Sequence, residues 1–201
     1  RLEGVENVKR CLQYAKQVGA KMVGSETSYS NLSDEEKALR RPLVMDSLQR
    51  IAEEAVRQDA VFAVEPVAVH PLCRPEILAE LLQKVDAPQN IKVIFDPVNL
   101  FAAQDAQDAA YQAEHWKTWL TVIGPQLGAM HCKDCRIEPD GTKTLVGLRQ
   151  GQMNYEPIIN WLAAHAPETA LIRDEVLLEH APNDVKILHE MKHTIEEKAT
   201  K

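Results

Sequence analysis

Residues 61–97, VFAVEPVAVHPLCRPEILAELLQKVDAPQNIKVIFDP, contain the pattern that decides the fold. The stretch begins and ends with a short apolar run, residues 61–64 and 91–95, and each run stops at a carboxylate followed by proline. Between the runs, residues 75–85 space apolar side chains three or four positions apart, with Pro75 in the first turn, which predicts a helix. Because strands that are buried on both faces read as continuous apolar runs, the stretch is predicted to be a β-α-β unit with two parallel strands.

The same alternation continues in both directions along the chain. Towards the N-terminus, helices are predicted over residues 5–18 and 33–58, with a strand at 20–24 between them; Gly19 ends the first helix and a capping box of Ser33 and Glu36 opens the second. Towards the C-terminus, strands are predicted at 127–130 and 170–172, a turn-rich excursion at 136–153, and helices at 106–123, 155–164 and 183–198. The sequence therefore predicts an α/β protein with five parallel strands.

Five strands fit two architectures. A doubly wound open sheet accommodates five strands without any missing part, whereas a closed (β/α) barrel needs eight strands and typically about 250 residues. The chain has 201 residues and opens with Arg1 inside an amphipathic helix, so in a barrel about three units would precede it. Strand count alone favours the open sheet, and the chemistry at the strand ends has to decide. The length favours one domain over residues 1–201.

Composition narrows the classes of partner. The chain is 45% apolar and carries a net charge of -7, with acidic and basic residues interleaved. Because no basic stripe is present to neutralise phosphates, we expect no nucleic-acid partner. No apolar run approaches the roughly 18 residues of a membrane span, so we expect no membrane partner. Four scattered cysteines indicate free thiols and predict a cytoplasmic protein, and a homo-oligomer is left open.

Metal-capable side chains follow four successive predicted strands. Glu65, Asp96, His131 and Glu175 each stand at the C-terminal end of a strand, one βα unit after the previous one. In a barrel these strand ends converge on one rim, so the four side chains would face a common site. Three carboxylates and an imidazole suit Mn²⁺, Mg²⁺, Co²⁺ or Zn²⁺, and ligand type does not choose among these ions. The adjacent Asp174 is an alternative to Glu175 as the fourth ligand.

At these residues the chain resembles the xylose isomerase-like TIM barrels, a family that includes sugar isomerases, ketose epimerases and nucleases of the endonuclease IV type. The strings GAKMVGSET (19–27), FAVEP (62–66), VIFDPVN (93–99), MHCKD (130–134) and GQMNYEPII (151–159) look like the family's strands four to eight. The resemblance spans nearly the whole chain and implies a partial (β/α)8 barrel without the first three units. It also implies that Glu65, Asp96, His131 and Glu175 bind one catalytic metal ion.

The resemblance implies an isomerase or epimerase that acts on a sugar, a sugar phosphate or an inositol-like polyol. A divalent ion chelated by a substrate carbonyl and the adjacent hydroxyl acidifies the intervening C–H and stabilises an enediolate. By resemblance to the family's epimerases, Glu65 and Glu175 exchange the proton as base and acid. Three alternatives are a polyol dehydratase or a phosphodiester hydrolase on the same metal site, and a catalytically silent fragment that only binds a ligand or partner.

Five further residues are candidate substrate contacts. Glu26 could hydrogen-bond sugar hydroxyls, His70 lies in the loop beyond Glu65, and Lys133 and Arg136 could bind a substrate phosphate or carboxylate. Asn99 stands where family epimerases often carry the histidine of an Asp-x-x-His motif, and this difference weakens the transfer of a specific substrate.

The aromatic residues and a C-x-x-C motif are the remaining features of the sequence. Phe101 is a candidate aromatic wall, whereas the three tryptophans lie at helical spacings among apolar residues and are predicted to pack in the core. Cys132 and Cys135 form a C-x-x-C motif that leads into a turn rather than opening a helix, and no second C-x-x-C is present in the sequence. The motif is therefore predicted to be neither a redox pair nor a zinc cage.

Overall fold

The computed structural model describes residues 1–86 and 89–200. Contacts between Cα atoms divide the chain into two compact units, residues 1–94 and 95–201. Each unit alternates helices with strands as the sequence predicts. Among the described residues, none of the helices combines the length and the hydropathy that a membrane span requires.

The first unit contains three helices and most of three strands: α1 (Leu2–Val18), β1 (Val23–Ser25), α2 (Asp34–Gln58), β2 (Phe62–Val64), α3 (Pro75–Lys84) and β3 (Ile91–Phe95). Gly19 ends α1 in the left-handed conformation, with φ of 69°, which a residue without a Cβ adopts at little cost. The predicted capping box opens α2: the Ser33 hydroxyl accepts from the Glu36 N–H, and the Glu36 carboxylate accepts from the Ser33 N–H. These local signals explain why the predicted bounds lie close to the observed ones.

The core of the first unit lies between its sheet and its helices. All three residues of β2 are buried, as the continuous apolar run predicts. Gly24 in β1 lets the Ile94 side chain approach closely, because a Cβ at this position would lie 2.6 Å from the Ile94 Cδ1. Helical side chains complete the core, including Leu12, Leu48, Ala52, Ala55, Leu78 and Leu81.

The second unit continues the alternation with α4 (Pro97–Leu100), α5 (Ala103–Gln107), α6 (Ala109–Ile123), a 3₁₀ turn (Gly124–Gln126), β4 (Leu127–Cys132), β5 (Asp134–Ile137), β6 (Lys143–Val146), α7 (Glu156–His165), β7 (Ala170–Arg173) and α8 (Ala181–Ala199). Its core includes Phe95 and Trp116, whose rings meet edge to face with centroids 6.1 Å apart. Trp119 is buried on the same helix, so these two tryptophans pack as predicted. Trp161 on α7 is only partly buried and lies against His165.

The order of the strands decides between the two architectures. One sheet holds five strands in the order β1-β2-β3-β4-β7, and the pairs β1–β2, β2–β3 and β4–β7 are parallel. Along the chain, each new strand of this sheet is added at the same edge, next to the strand before it. In a doubly wound sheet the order of the strands reverses at a switch point. The fold is therefore a five-strand part of a (β/α) barrel, and the open doubly wound alternative is wrong.

Three local predictions differ from the structure. The excursion at 136–153 contains an antiparallel hairpin, β5–β6, which a reading of turn residues alone does not predict. The helix predicted over 106–123 is two helices, because the Asp108 side chain accepts from the N–H groups of Ala110 and Tyr111 and so starts α6. His131 lies inside β4 rather than after it.

Candidate metal and active site

The first unit places three of the predicted site residues at or beyond the ends of its strands. Glu65 directly follows β2 and is buried, and its N–H donates to the Ser25 carbonyl oxygen at 3.1 Å, which extends the strand pairing to the carboxylate. His70 is buried in the loop after Glu65, with its Nδ1 3.5 Å from the Glu26 Oε2. Burial lowers the pKa of His70, and the negative charge of Glu65 opposes this change. The structure thus brings the two substrate candidates Glu26 and His70 together.

In the second unit Asp96 is fully buried, and its two carboxylate oxygens have different roles. The Oδ1 accepts from the Asn99 N–H at 3.1 Å and so caps the short helix α4, in which Pro97 occupies the first position. The Oδ2 lies 3.0 Å from the Lys133 Nζ and 3.5 Å from the His131 Nδ1. One oxygen therefore fixes the orientation of the carboxylate while the other faces a cluster of polar groups.

Asp174 and Glu175 complete this cluster from the end of β7. The Asp174 Oδ2 lies 2.8 Å from the Lys133 Nζ and 3.5 Å from the His131 Nδ1, and the Glu175 carboxylate contacts the same ammonium. Glu175 adopts a left-handed backbone conformation with φ of 49°, which is uncommon for a residue with a side chain. The contact of Asp174 with His131 joins the end of β7 to β4.

Lys133 is the cation at the centre of the cluster. Its side chain is 3% exposed. Burial disfavours the charged form of the amine, but Asp96, Asp174 and Glu175 outweigh burial and raise the pKa of Lys133. Burial likewise opposes ionisation of Asp174, yet its bond to Lys133 lowers the pKa of that carboxyl below its usual value. Both partners of the pair are therefore charged at neutral pH.

The donor set of the second unit fits a divalent ion. The Asp96 Oδ2 and the Asp174 Oδ2 each lie 3.5 Å from the His131 Nδ1, so two carboxylates approach one imidazole. The Asp96 Oδ2 is buried, and its contact with Lys133 is an ion pair without the geometry of a hydrogen bond, so this oxygen retains electron pairs that it can donate to a metal ion. Carboxylate oxygens with one imidazole nitrogen suit Mn²⁺, Mg²⁺, Co²⁺ and Zn²⁺ alike.

The remaining candidates take other positions. The Arg136 guanidinium donates to the Gln150 carbonyl oxygen at 2.9 Å, which ties β5 to the loop before α7. Phe101 is 3% exposed and stacks on Trp116 with ring centroids 6.4 Å apart, so it packs in the core and does not present an aromatic wall to solvent. Asn99 contributes its backbone N–H to the Asp96 cap.

Both cysteines of the C-x-x-C motif lie in the interior of the second unit. Cys132 and Cys135 are both free and buried, and burial raises the pKa of each thiol to about 12. The thiolate, which is the reactive form, is therefore scarce at neutral pH.

Three residues that support the site were not predicted from the sequence. The Tyr155 hydroxyl accepts from the Lys133 N–H at 3.0 Å and donates to the Lys133 carbonyl oxygen, so it fixes the backbone on both sides of this residue. Arg173 donates from its Nε to the buried Asp184 at 2.7 Å and from its Nη1 to the Asp174 carbonyl oxygen. The two residues of the Arg173–Asp184 pair are 11 positions apart in the chain, and those of the Tyr155–Lys133 pair are 22 positions apart, so a local sequence pattern does not predict these contacts.

Solved structures that share this fold at low sequence identity include the following three. A xylose isomerase-like TIM barrel protein from Mycobacterium smegmatis in complex with magnesium matches with a TM-score of 0.70 at 16% identity, over 96% of this chain and 68% of that one. A D-tagatose 3-epimerase-like protein matches with a TM-score of 0.71 at 17% identity, over 96% of this chain and 70% of that one. Endonuclease IV from Thermus thermophilus matches with a TM-score of 0.67 at 15% identity, over 94% of this chain and 68% of that one.

The chain is shorter than these similar proteins. It spans 66% of the length of a xylose isomerase domain protein from Planctomyces limnophilus, and about two thirds of each of the three above. No curated protein matches the chain by sequence. A family model does match, and it covers residues 1–190. The order of the strands, the acidic strand ends and this match lead to one conclusion: the chain belongs to the xylose isomerase-like TIM barrel family.

Proposed function

We propose that this protein is a divalent-metal-dependent isomerase or epimerase of a sugar, a sugar phosphate or a related polyol. The observation that carries the proposal is the cluster in which Asp96 and Asp174 approach His131. These residues, and Glu65 after β2, stand at or next to the C-terminal ends of parallel strands, where barrel enzymes place their catalytic groups. The similarity to an epimerase-like protein supports this reaction class through the fold alone.

Under this proposal Glu65, Asp96, His131 and one acid of the Asp174–Glu175 pair would hold the ion, which would supply Lewis-acid polarisation of the substrate carbonyl. The Glu65 carboxylate removes the proton from the carbon next to that carbonyl and becomes a carboxylic acid, and the protonated form of Glu175 returns a proton and becomes a carboxylate. Glu26 and His70 hydrogen-bond the hydroxyls of the substrate. Burial of Asp96 and Lys133 keeps water away from the inner part of the cluster, which strengthens electrostatic interactions there.

Two other reactions fit the same donor set. Phosphodiester hydrolysis is favoured by the similarity in fold to an endonuclease IV, and dehydration of a polyol would begin with the same removal of a proton. A nuclease must hold a polyanion, and the net charge of -7 opposes this. We therefore favour a proton-transfer reaction over phosphodiester hydrolysis.

The test measures exchange of a substrate C–H proton with solvent. The Mn²⁺-loaded chain is incubated with a panel of ketoses in D₂O, and deuterium incorporation is followed by NMR for the wild type, Glu65→Gln and Glu114→Gln. Glu114 is an exposed glutamate on α6, with a side chain that is 69% exposed, and serves as the matched control. We expect exchange in the wild type and the control and none in Glu65→Gln. Full exchange by Glu65→Gln would exclude this residue as the base, and nicking of abasic DNA without exchange would favour the nuclease.

A further inference from the structure

The ammonium group of Lys133 contacts three carboxylates of the cluster. Its ammonium lies 3.0 Å from the Asp96 Oδ2 and 2.8 Å from the Asp174 Oδ2, and it also contacts the Glu175 carboxylate. The side chain is 3% exposed, and the Tyr155 hydroxyl fixes the backbone of the residue. An ammonium that already has three carboxylate partners is poorly placed to bind a substrate phosphate.

The oxygens that bind Lys133 are also the oxygens that a metal ion would need. Asp96 Oδ2 and Asp174 Oδ2 each lie 3.5 Å from the His131 Nδ1 as well as close to the ammonium. Asp96 and His131 would hold the divalent ion, and the Asp96 oxygen that faces the imidazole is the one that faces the ammonium. The ammonium and the ion would therefore share carboxylate oxygens, and two cations this close repel each other strongly in a buried site.

We propose that the Lys133 ammonium is a built-in counterion that holds Asp96, Asp174 and Glu175 together without metal and competes with the divalent ion for the two aspartates. This inference rests on the proposed metal site and adds a residue that sets its affinity. Without the ammonium, three neighbouring carboxylates would repel one another, so the metal-free protein would lose stability. The same change would leave the carboxylates more attractive to a divalent cation.

The experiment compares Lys133→Met, which keeps the length of the side chain and removes its charge, with Lys117→Met. Lys117 has a side chain that is 69% exposed and pairs with Glu114 on the surface of α6, so its substitution changes the net charge equally and leaves the cluster intact. Mn²⁺ affinity is measured by titration calorimetry, and the melting temperature is measured after chelation. We expect Lys133→Met to bind Mn²⁺ about tenfold more tightly or better and to melt at a lower temperature without metal. Lys117→Met should match the wild type in both.

The outcomes separate this inference from the metal site itself. If the wild type binds Mn²⁺ and Lys133→Met binds it equally or more weakly, the competition is wrong and the metal site stands. If no variant binds Mn²⁺, both proposals fail. Lys133→Arg keeps the charge and covers the case in which Lys133→Met does not fold: we expect its Mn²⁺ affinity to stay at or below that of the wild type, and tighter binding would overturn the competition.

Discussion

At the scale of single residues, the two acids that follow β7 have different surroundings. Asp174 approaches His131 and Lys133 and has a side chain that is 39% exposed, whereas Glu175 contacts Lys133 and is 55% exposed. The sequence leaves open which of the two binds the metal. Because Asp174 lies 3.5 Å from His131, we propose Asp174 as the ligand and Glu175 as the residue that transfers the proton.

This difference predicts that a conservative substitution of one acid impairs metal binding and that of the other impairs proton exchange. Asp174→Asn should weaken Mn²⁺ binding at least about tenfold, because an amide oxygen carries no charge. Glu175→Gln should bind Mn²⁺ nearly as well as the wild type and should fail to exchange the substrate proton. Calorimetric titration and the D₂O assay measure the two properties. A loss of metal in Glu175→Gln with normal binding in Asp174→Asn would reverse the assignment.

The cysteines give a second prediction at this scale. Burial raises the pKa of Cys132 and Cys135 to about 12, so at pH 8 only about one thiol in 10,000 is ionised. Cys11 is exposed on α1. Brief treatment of the native protein with iodoacetamide at pH 8 should therefore alkylate Cys11 and leave both buried thiols intact, as read by peptide mass spectrometry. Alkylation of either buried cysteine at the rate of Cys11 would show that the strand end opens in solution.

At the scale of elements, a buried carboxylate holds the loop between β6 and α7. The Asp134 side chain accepts from the N–H groups of Cys135, Gly151 and Met153 at 2.8, 3.0 and 3.1 Å. Burial raises the pKa of this carboxyl, and the three bonds oppose that change. Gly151 has no room for a side chain, because a Cβ there would overlap with the Asp134 carboxylate and the Cys135 carbonyl oxygen. The string at 151–159, which the resemblance places in the family's last strand, is therefore not a strand: it is this anchored loop and the start of α7, and the last strand of the sheet is β7.

Gly151→Ala should accordingly destabilise the protein by about 1–3 kcal/mol, because the added methyl group displaces the buried carboxylate from its donors. Gly4→Ala is the matched control: Gly4 lies in α1 with open space around it, and alanine there should stabilise the helix by about 1 kcal/mol. Urea unfolding measures both. Equal stability of the wild type and Gly151→Ala would mean that the loop can move away from Asp134 at little cost.

At the scale of the whole molecule, metal binding should be linked to stability. An ion that binds only the folded chain stabilises it by about 2.7 kcal/mol when its concentration is 100 times the dissociation constant. Mn²⁺ should therefore raise the melting temperature of the wild type. The rise should vanish in the double variant Asp96→Asn/His131→Gln.

The control for this measurement carries the same types of change on the surface. Glu114→Gln/His193→Gln alters two exposed side chains, 69% and 72% exposed, that lie on α6 and α8. It should keep the full response to Mn²⁺. An equal rise in melting temperature in Asp96→Asn/His131→Gln would place the metal elsewhere in the protein.

The sequence by itself determined the elements and most of the residues at the strand ends. The apolar run at 91–95 is the strand β3 residue for residue, and the capping box at Ser33 starts α2 as predicted. These features depend on hydrogen bonds and burial of residues within a few positions of the chain, so the pattern of the sequence predicts them. The family resemblance, which the match over residues 1–190 confirms, rests on the same local strings.

Only the tertiary structure decided the order of the strands, the hairpin β5–β6 and the surroundings of Lys133. A single sequence predicts that Lys133 is a cation near the site but not that it lies buried among Asp96, Asp174 and Glu175, up to 42 positions away. The left-handed backbone conformation of Glu175 is likewise visible only in the folded chain. The physical reason is that these features arise from contacts between distant segments, and the energy of such contacts depends on how the strands pack rather than on neighbours in sequence.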